Sequence, residues 1–300
     1  MIIEYLQPDA DIWDGVTVVV RAGYYVASLG AAGLAAFTLA FGHRLTEDER
    51  RATRRWLALA VSAAVALSLL AALVRVQILS AGELGNLAVW EAMLRSRIGD
   101  AFLIRMAGLL LLLPLAFGAR LGPAAAGAGC LMVAASYAAM GHSMLYRPRQ
   151  ELAALVVIHM AAVAFWAGSL PPLATVAARG DASAAALIEA WSKAALVLVG
   201  LLIASGVAAA VLLVREPGQL FASWYGAGMI AKIALVSVVM GLAAWHKFAL
   251  APRLKRGEAG AAAALARSIR IEALAMALTF YAAAEMVSVH PTDLGHRVLS

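Results

Sequence analysis

Residues Leu152–Leu170 read LAALVVIHMAAVAFWAGSL. The run contains no Lys, Arg, Asp or Glu. At 1.5 Å per residue a helix of that length covers about 28 Å, close to the ~30 Å hydrocarbon core of a bilayer. Lipid offers a backbone no hydrogen-bond partners, so a stretch this long and this apolar is a membrane-spanning helix and not a barrel strand. Seven more stretches read the same way: Val16 to Phe41, Trp56 to Leu79, Ala101 to Phe117, Pro123 to Met140, Trp191 to Val214, Ala227 to Phe248 and Ile269 to Val289. The expected fold is therefore an all-α polytopic membrane bundle of about eight helices. Its two halves are residues 1–150 and 151–300, each with four spans.

Composition agrees. Of 300 residues, 63% are hydrophobic and 14% charged, against about half and about a quarter in soluble chains, which excludes a water-soluble enzyme. The stretches Ser80 to Asp100 and Pro171 to Ala190 are each too short for an independent domain. The first contains Leu87, Val89, Trp90, Met93 and Leu94 and reads as a short helix lying on the membrane surface. Cys130 is the one cysteine, so no internal disulfide and no paired-cysteine metal or redox motif exists. The first fifteen residues carry Glu4, Asp9, Asp11 and Asp14 and no Lys or Arg, unlike the basic leading end of a signal peptide.

Alternating spans divide the loops into two sets. The set from Arg44 to Arg55 onward, including Arg120, Arg179, Lys193, Lys247, Arg253 to Arg256, Arg267 and Arg270, holds fourteen Lys and Arg, and the other set holds six. The positive-inside rule then makes the first set cytoplasmic and leaves both termini outside, in the periplasm. The net charge of +6 thus reads as orientation and contact with anionic membrane lipid, with no nucleic-acid partner implied.

Polar groups within spans mark function by default. Arg21, Arg75, Arg105 and Lys232 all fall toward the outer ends of their helices. They either snorkel outward, pair with Glu83, Glu91, Asp100 or the acidic N-terminal tail, or hold an anion. On the last span, at 100° per residue, Glu272, Met276, Thr279, Met286 and His290 fall at about 0°, 40°, −20°, −40° and 0°, while Glu285 falls at about 220° on the opposite face. Thioether favours Cu(I), and imidazole accepts Cu(I) or Cu(II), so this row is a candidate copper path. Against it stands the ordinary use of Met as a core filler and of Thr bonded to its own helix. His159 lies about 10 Å below the outer end of the fifth span, with Trp166 on the same face and Gly168 following. Met140-Gly141-His142-Ser143-Met144 ends the fourth span with one imidazole and two thioethers on the side from which a periplasmic metal arrives. His43 and His246 read as interfacial residues near the basic face.

From about His142 to Pro291 the chain resembles the copper resistance D family of bacterial inner-membrane proteins. The likeness is carried by Gly141-His142-Ser143, His159-x-x-Ala162-x-x-x-Trp166-x-Gly168-x-Leu170, Ser192 and Gly206. It continues through Trp224-Tyr225-Gly226 leading to Lys232, Pro252-Arg253-Leu254, Arg267-Ser268-x-x-x-Glu272 and Pro291. The family pattern has a second glycine where this chain has Ser169, and commonly asparagine where it has His246. The resemblance implies a multi-pass protein of the inner cell membrane in copper homeostasis and resistance. It further implies copper uptake from periplasm to cytoplasm, with a periplasmic copper-binding partner of the CopC type.

Three readings follow. The leading one is a metal-binding copper-transport protein, not an enzyme. In it Met140, His142, Met144 and His290 receive the ion at a periplasmic-side site, His159 and Met286 hold it deeper, and Met276 and Glu272 continue the path inward. The sequence has no G-x-x-x-x-G-K-[ST] loop, so such transport runs on a gradient or on partner exchange. The second is a b-type haem protein or quinone-linked electron carrier, with His159 and either His142 or His290 as axial ligands of haem b. The third is a scaffold that docks a periplasmic copper chaperone without moving the ion.

Overall fold

A computed structural model describes residues 12–140, 149–213 and 224–288. Met144, His142 and His290 therefore lie outside the described residues. Ten α-helices account for nearly all of these residues, with no strand among them: α1 Ile12–Phe41, α2 Glu47–Leu79, α3 Leu87–Leu94, α4 Arg97–Ala116, α5 Gly122–Ala138, α6 Arg149–Arg179, α7 Ala182–Leu213, α8 Trp224–Trp245, α9 Ala251–Lys255 and α10 Ala261–Ser288. Seven are long and apolar enough to cross a membrane. The eighth expected span is α5, which at 17 residues sits at the short end of the spanning range. The chain is a polytopic helical membrane bundle. The surface helix expected between the second and third spans is α3, capped by Asn86, whose side chain accepts from the Val89 N–H.

Two boundaries differ from the sequence reading. Pro171 to Ala190, which lies between two expected spans, is mostly helical, because α6 runs on through Pro171 and Pro172 to Arg179, and α7 begins at Ala182. Proline removes backbone donors from the helix. Here it leaves the carbonyls of Ala167 and Gly168 without their i+4 donors, while the Thr175 hydroxyl donates one turn on, to the carbonyls of Pro171 and Pro172 at 3.2 and 2.8 Å. Likewise α10 begins at Ala261, eight residues before the expected start, so part of the alanine run forms its first turn.

α1 stands at the centre, packed against α2, α5, α6 and α10. The tightest crossing joins α1 to α6. A methyl group on Gly33 would collide with the Ala164 carbonyl, and one on Gly168 would collide with the backbone of Gly33 and Leu34. Two glycines facing each other let the helices touch backbone to backbone, as small residues do in membrane bundles. This crossing sets the position of Trp166, two residues before Gly168. At the end carrying the basic loops, Arg179 Nη1 donates to both carboxylate oxygens of Glu49, at 2.8 and 2.7 Å. Glu49 also closes a capping box with Thr46 at the start of α2, so one carboxylate ties α2 to α6. α7 and α8 are peripheral: α7 packs on α6 and α9, and α8 on α10.

Candidate functional site

The stripe read on the last span is the inward face of α10. Glu272 is 1% exposed, Met276 and Thr279 7% and Met286 6%. The face is real because α10 touches α6, α8 and α1, and a helix in that position buries the side chains that point toward its partners. Thr279 donates to the Ala275 carbonyl of its own helix at 2.9 Å. Met286 packs on α8, its Cγ lying 3.3 Å from where a Cβ on Gly228 would sit. Absence of a side chain at Gly228 leaves the thioether its room.

At the basic end of this stripe lies a polar cluster. Trp166 Nε1 donates to Glu272 Oε1 at 2.7 Å. His246 Nδ1 stands 3.0 Å from Glu272 Oε2, and its Nε2 lies 2.7 Å from the Ser268 hydroxyl. With Nδ1–H donating to the carboxylate, a neutral ring accepts from Ser268 and an imidazolium donates to it. Ser268 is one turn before Glu272 on α10, so a single imidazole bridges two successive turns. A buried carboxylate needs this: unpaired, its desolvation costs far more than one hydrogen bond returns.

His246, expected near the basic face, is thus held against α10 by its side chain. It opens a π-helical turn, His246–Leu250, between α8 and α9. Pro252 near the start of α9 lacks the N–H that an α-helical ladder would use there, and such single π turns often occur at functional sites. The turn keeps α8 and α9 in one continuous helical run and leaves the His246 side chain 12% exposed against α10. Beside Glu272 and His246 is a small cavity lined also by Leu170, Leu173, Trp191, Ser192 and Leu265. It has room for a water or a bare ion. Trp191 Nε1 is buried without a hydrogen-bond partner among the described residues.

The structure brings Glu272 and Met276 together on adjoining turns, with Met286 about 15 Å farther along α10. It does not bring His159 to Glu272. His159 and Trp166 share a face of α6, but Trp166 reaches α10, whereas His159 packs on α7. Its Nδ1 lies 3.3 Å from the Leu202 carbonyl and 3.5 Å from the Ser205 hydroxyl. Gly206 makes the space, since a Cβ there would stand 3.3 Å from the imidazole Cε1. Met140, half-buried, follows α5 at the opposite end of the bundle. No group of three or more His, Cys, Asp or Glu gathers among the described residues. A metal bound here would rely on thioethers and on imidazole or carboxylate groups present singly or in pairs.

Comparison with known families adds the last observation. The family model described as copper resistance protein D matches residues 185–286. The model described as copper resistance protein D-like, N-terminal domain matches residues 10–147. Neither range includes His159, Trp166 or Gly168, while Glu272, Met276, Met286 and His246 fall in the first. No curated protein and no solved structure matches the chain.

Proposed function

The chain belongs to the copper resistance D family, as a multi-pass protein of the inner membrane, and from that premise we propose that it binds copper and carries it from the periplasmic side toward the cytoplasm. The observation that supports this reading is the buried row Met286, Met276 and Glu272 along one face of α10. Apolar packing alone does not require soft thioethers at two of these three places, and a carboxylate at the third is costly in lipid. Copper is the cargo. It is received by Met140, His142, Met144 and His290 at the end away from the basic loops, handed to His159 and Met286, and passed to Met276 and Glu272. Stations of one or two ligands suit conduction, which needs sites strong enough to fill and weak enough to empty.

Glu272 is the last station. Its two oxygens already accept from Trp166 and His246, so an arriving cation competes with the imidazole N–H. Release follows when that hydrogen bond re-forms. The adjoining cavity gives the ion or a water a place to stand during the exchange. A periplasmic partner of the CopC type delivers the ion in this scheme.

Copper uptake into proteoliposomes, read by elemental analysis, tests the proposal with the Met276→Leu/Met286→Leu double variant. Leucine conserves volume, so the fold should lose less than about 1.5 kcal/mol per site, while uptake falls about tenfold or more. Unchanged uptake by a folded double variant would sink the path along α10.

A further inference from the structure

Trp191 and Ser192 are neighbours on α7, and both line the cavity beside Glu272 and His246. The Nε1 of Trp191 is buried and has no hydrogen-bond partner among the described residues. Such donors are rare in folded proteins, because a buried N–H that has given up its bond to water loses the full value of that bond. The same cavity is bounded by Ala251 of α9 and by Leu170 and Leu173 of α6. It is therefore the place where α6, α7, α9 and α10 meet the π turn.

The chemistry of the polar groups around this space limits what can fill it. An indole N–H only donates and an ionised carboxylate only accepts. Glu272 takes one side-chain bond on each oxygen, from Trp166 and from His246, and each oxygen has a second lone pair to offer. Both ring nitrogens of His246 are already occupied, by Glu272 and Ser268. Trp191 and Glu272 thus share a cavity without bonding each other, and whatever joins them must accept from the first and donate to the second. A bare cation would meet the positive end of the N–H, and an anion would meet the carboxylate. A hydroxyl-type molecule satisfies both. The centre of a water-sized sphere has about 20 Å³ in which to move, and one water needs roughly 10–15 Å³ by that measure. The space is that of a single water.

We propose that this cavity is a binding site for one water molecule, which accepts from the Trp191 N–H of α7 and donates to the Glu272 carboxylate of α10. Two partners suffice to hold a buried water, and the Ser192 hydroxyl stands on the same cavity as a third. The water has a structural consequence. α7 packs on α6 and α9, and the bridge adds a polar bond from α7 to the carboxylate that Trp166 and His246 hold from the other elements. In the transport scheme an ion arriving at Glu272 displaces this water and so breaks that bond. The site itself belongs to the copper-free protein and does not rest on the transport reading.

The test uses the full chain, copper-free in a non-ionic detergent and carrying isotope-labelled tryptophan. The indole resonance of Trp191 is identified by its loss in Trp191→Phe. A nuclear Overhauser cross-peak from this indole proton to the water resonance is expected, with the sign of a long-lived bound water. A serine hydroxyl proton exchanges with water and would give a similar signal, so the measurement is repeated on Ser192→Ala, where the cross-peak should be kept. In Glu272→Leu the water has lost its acceptor and the cross-peak should disappear. The proposal is overturned if the wild type shows no cross-peak, if Ser192→Ala abolishes it, or if a folded Glu272→Leu variant retains it. Should the phenylalanine or leucine variant fail to fold, an experimental structure of the copper-free wild type at a resolution that shows waters decides. It should place one water within about 3.2 Å of both Trp191 Nε1 and a Glu272 oxygen. An ion at that place, a direct Trp191–Glu272 bond or an empty cavity would overturn the site.

Discussion

The indole N–H of Trp166 on α6 donates to Oε1 of Glu272 on α10 at 2.7 Å, and both residues are almost completely removed from solvent, at 4% and 1% exposure. This bond crosses between residues 106 positions apart in the chain. It holds the carboxylate in place so that its second oxygen faces His246. The pair is therefore at once a link between helices and the frame of the proposed last copper station.

Replacing Trp166 by Phe keeps the ring and deletes the donor. A buried carboxylate then loses one of its two side-chain hydrogen bonds, a cost of about 1–3 kcal/mol. Thermal unfolding in detergent should show the lower stability, and Glu272→Gln combined with Trp166→Phe should recover part of it, because a neutral amide is less expensive to leave half-satisfied. Equal melting temperatures for wild type and Trp166→Phe would contradict the bond.

His246 makes a separable contribution. Asparagine at this position, the residue common in the family pattern, is shorter and spans only one of the two groups that His246 joins. His246→Asn should lose about 0.5–1.5 kcal/mol and retain most uptake. His246→Leu satisfies neither Glu272 nor Ser268 and should lose more stability and most uptake. A leucine variant that melts and transports like the asparagine variant would show that the imidazole bridge is incidental.

Gly168→Ala asks whether the helix crossing positions the site. The new methyl meets backbone, not a flexible side chain, so α1 and α6 must separate. The expected loss is about 3 kcal/mol or more, with poor yield of folded protein. Gly30→Ala is the comparison, since nothing lies within 4 Å of its Cβ position, and it should be tolerated. Similar behaviour of the two variants would mean that the crossing is not tight.

One pH effect is expected in the α6–α7 turn. The Asp181 carboxyl is held below its ordinary value chiefly by the Ala184 N–H at 2.7 Å, assisted by Ser183 and Arg179 and opposed by partial desolvation. A carboxylate with a depressed value adds stability above its unfolded value of 3.8 and loses it as pH falls through the folded value. The stability difference between wild type and Asp181→Ala should accordingly persist at neutral pH and vanish in strong acid. A difference that does not change across that range would show that the carboxylate charge is not involved.

The spans were legible because lipid penalises charge along their whole length, and Leu152–Leu170 carries no Lys, Arg, Asp or Glu. Glu272, Met276 and Met286 were legible as a row because helical periodicity carries buried faces directly into sequence. His246 was not. Its position depends on the π turn before Pro252 and on Ser268 and Glu272 reaching it from another helix, and hydropathy has no term for such meetings. The same limit explains His159: helical angle put it on the Trp166 face, but the gap at Gly206 decides its neighbour. Arg105 was recognisable as a misplaced charge, while the Tyr24 and Tyr137 rings that flank its guanidinium required α1, α4 and α5 to be seen together.

The peripheral packing of α7 and α8 has a mechanical consequence. α1, α6 and α10 are clamped by the glycine crossing and by Trp166–Glu272, so they behave as a stationary wall carrying the thioethers and the carboxylate. α7 is held mainly by α6, and α8 mainly by α10, so a displacement of either helix would break fewer contacts than one within the wall, and the two are doors in that sense alone. His159 touches one door through Leu202 and Gly206, and Met286 touches the other through Gly228. Small swings of either door would alter the surroundings of a station on the wall while the wall itself stayed still.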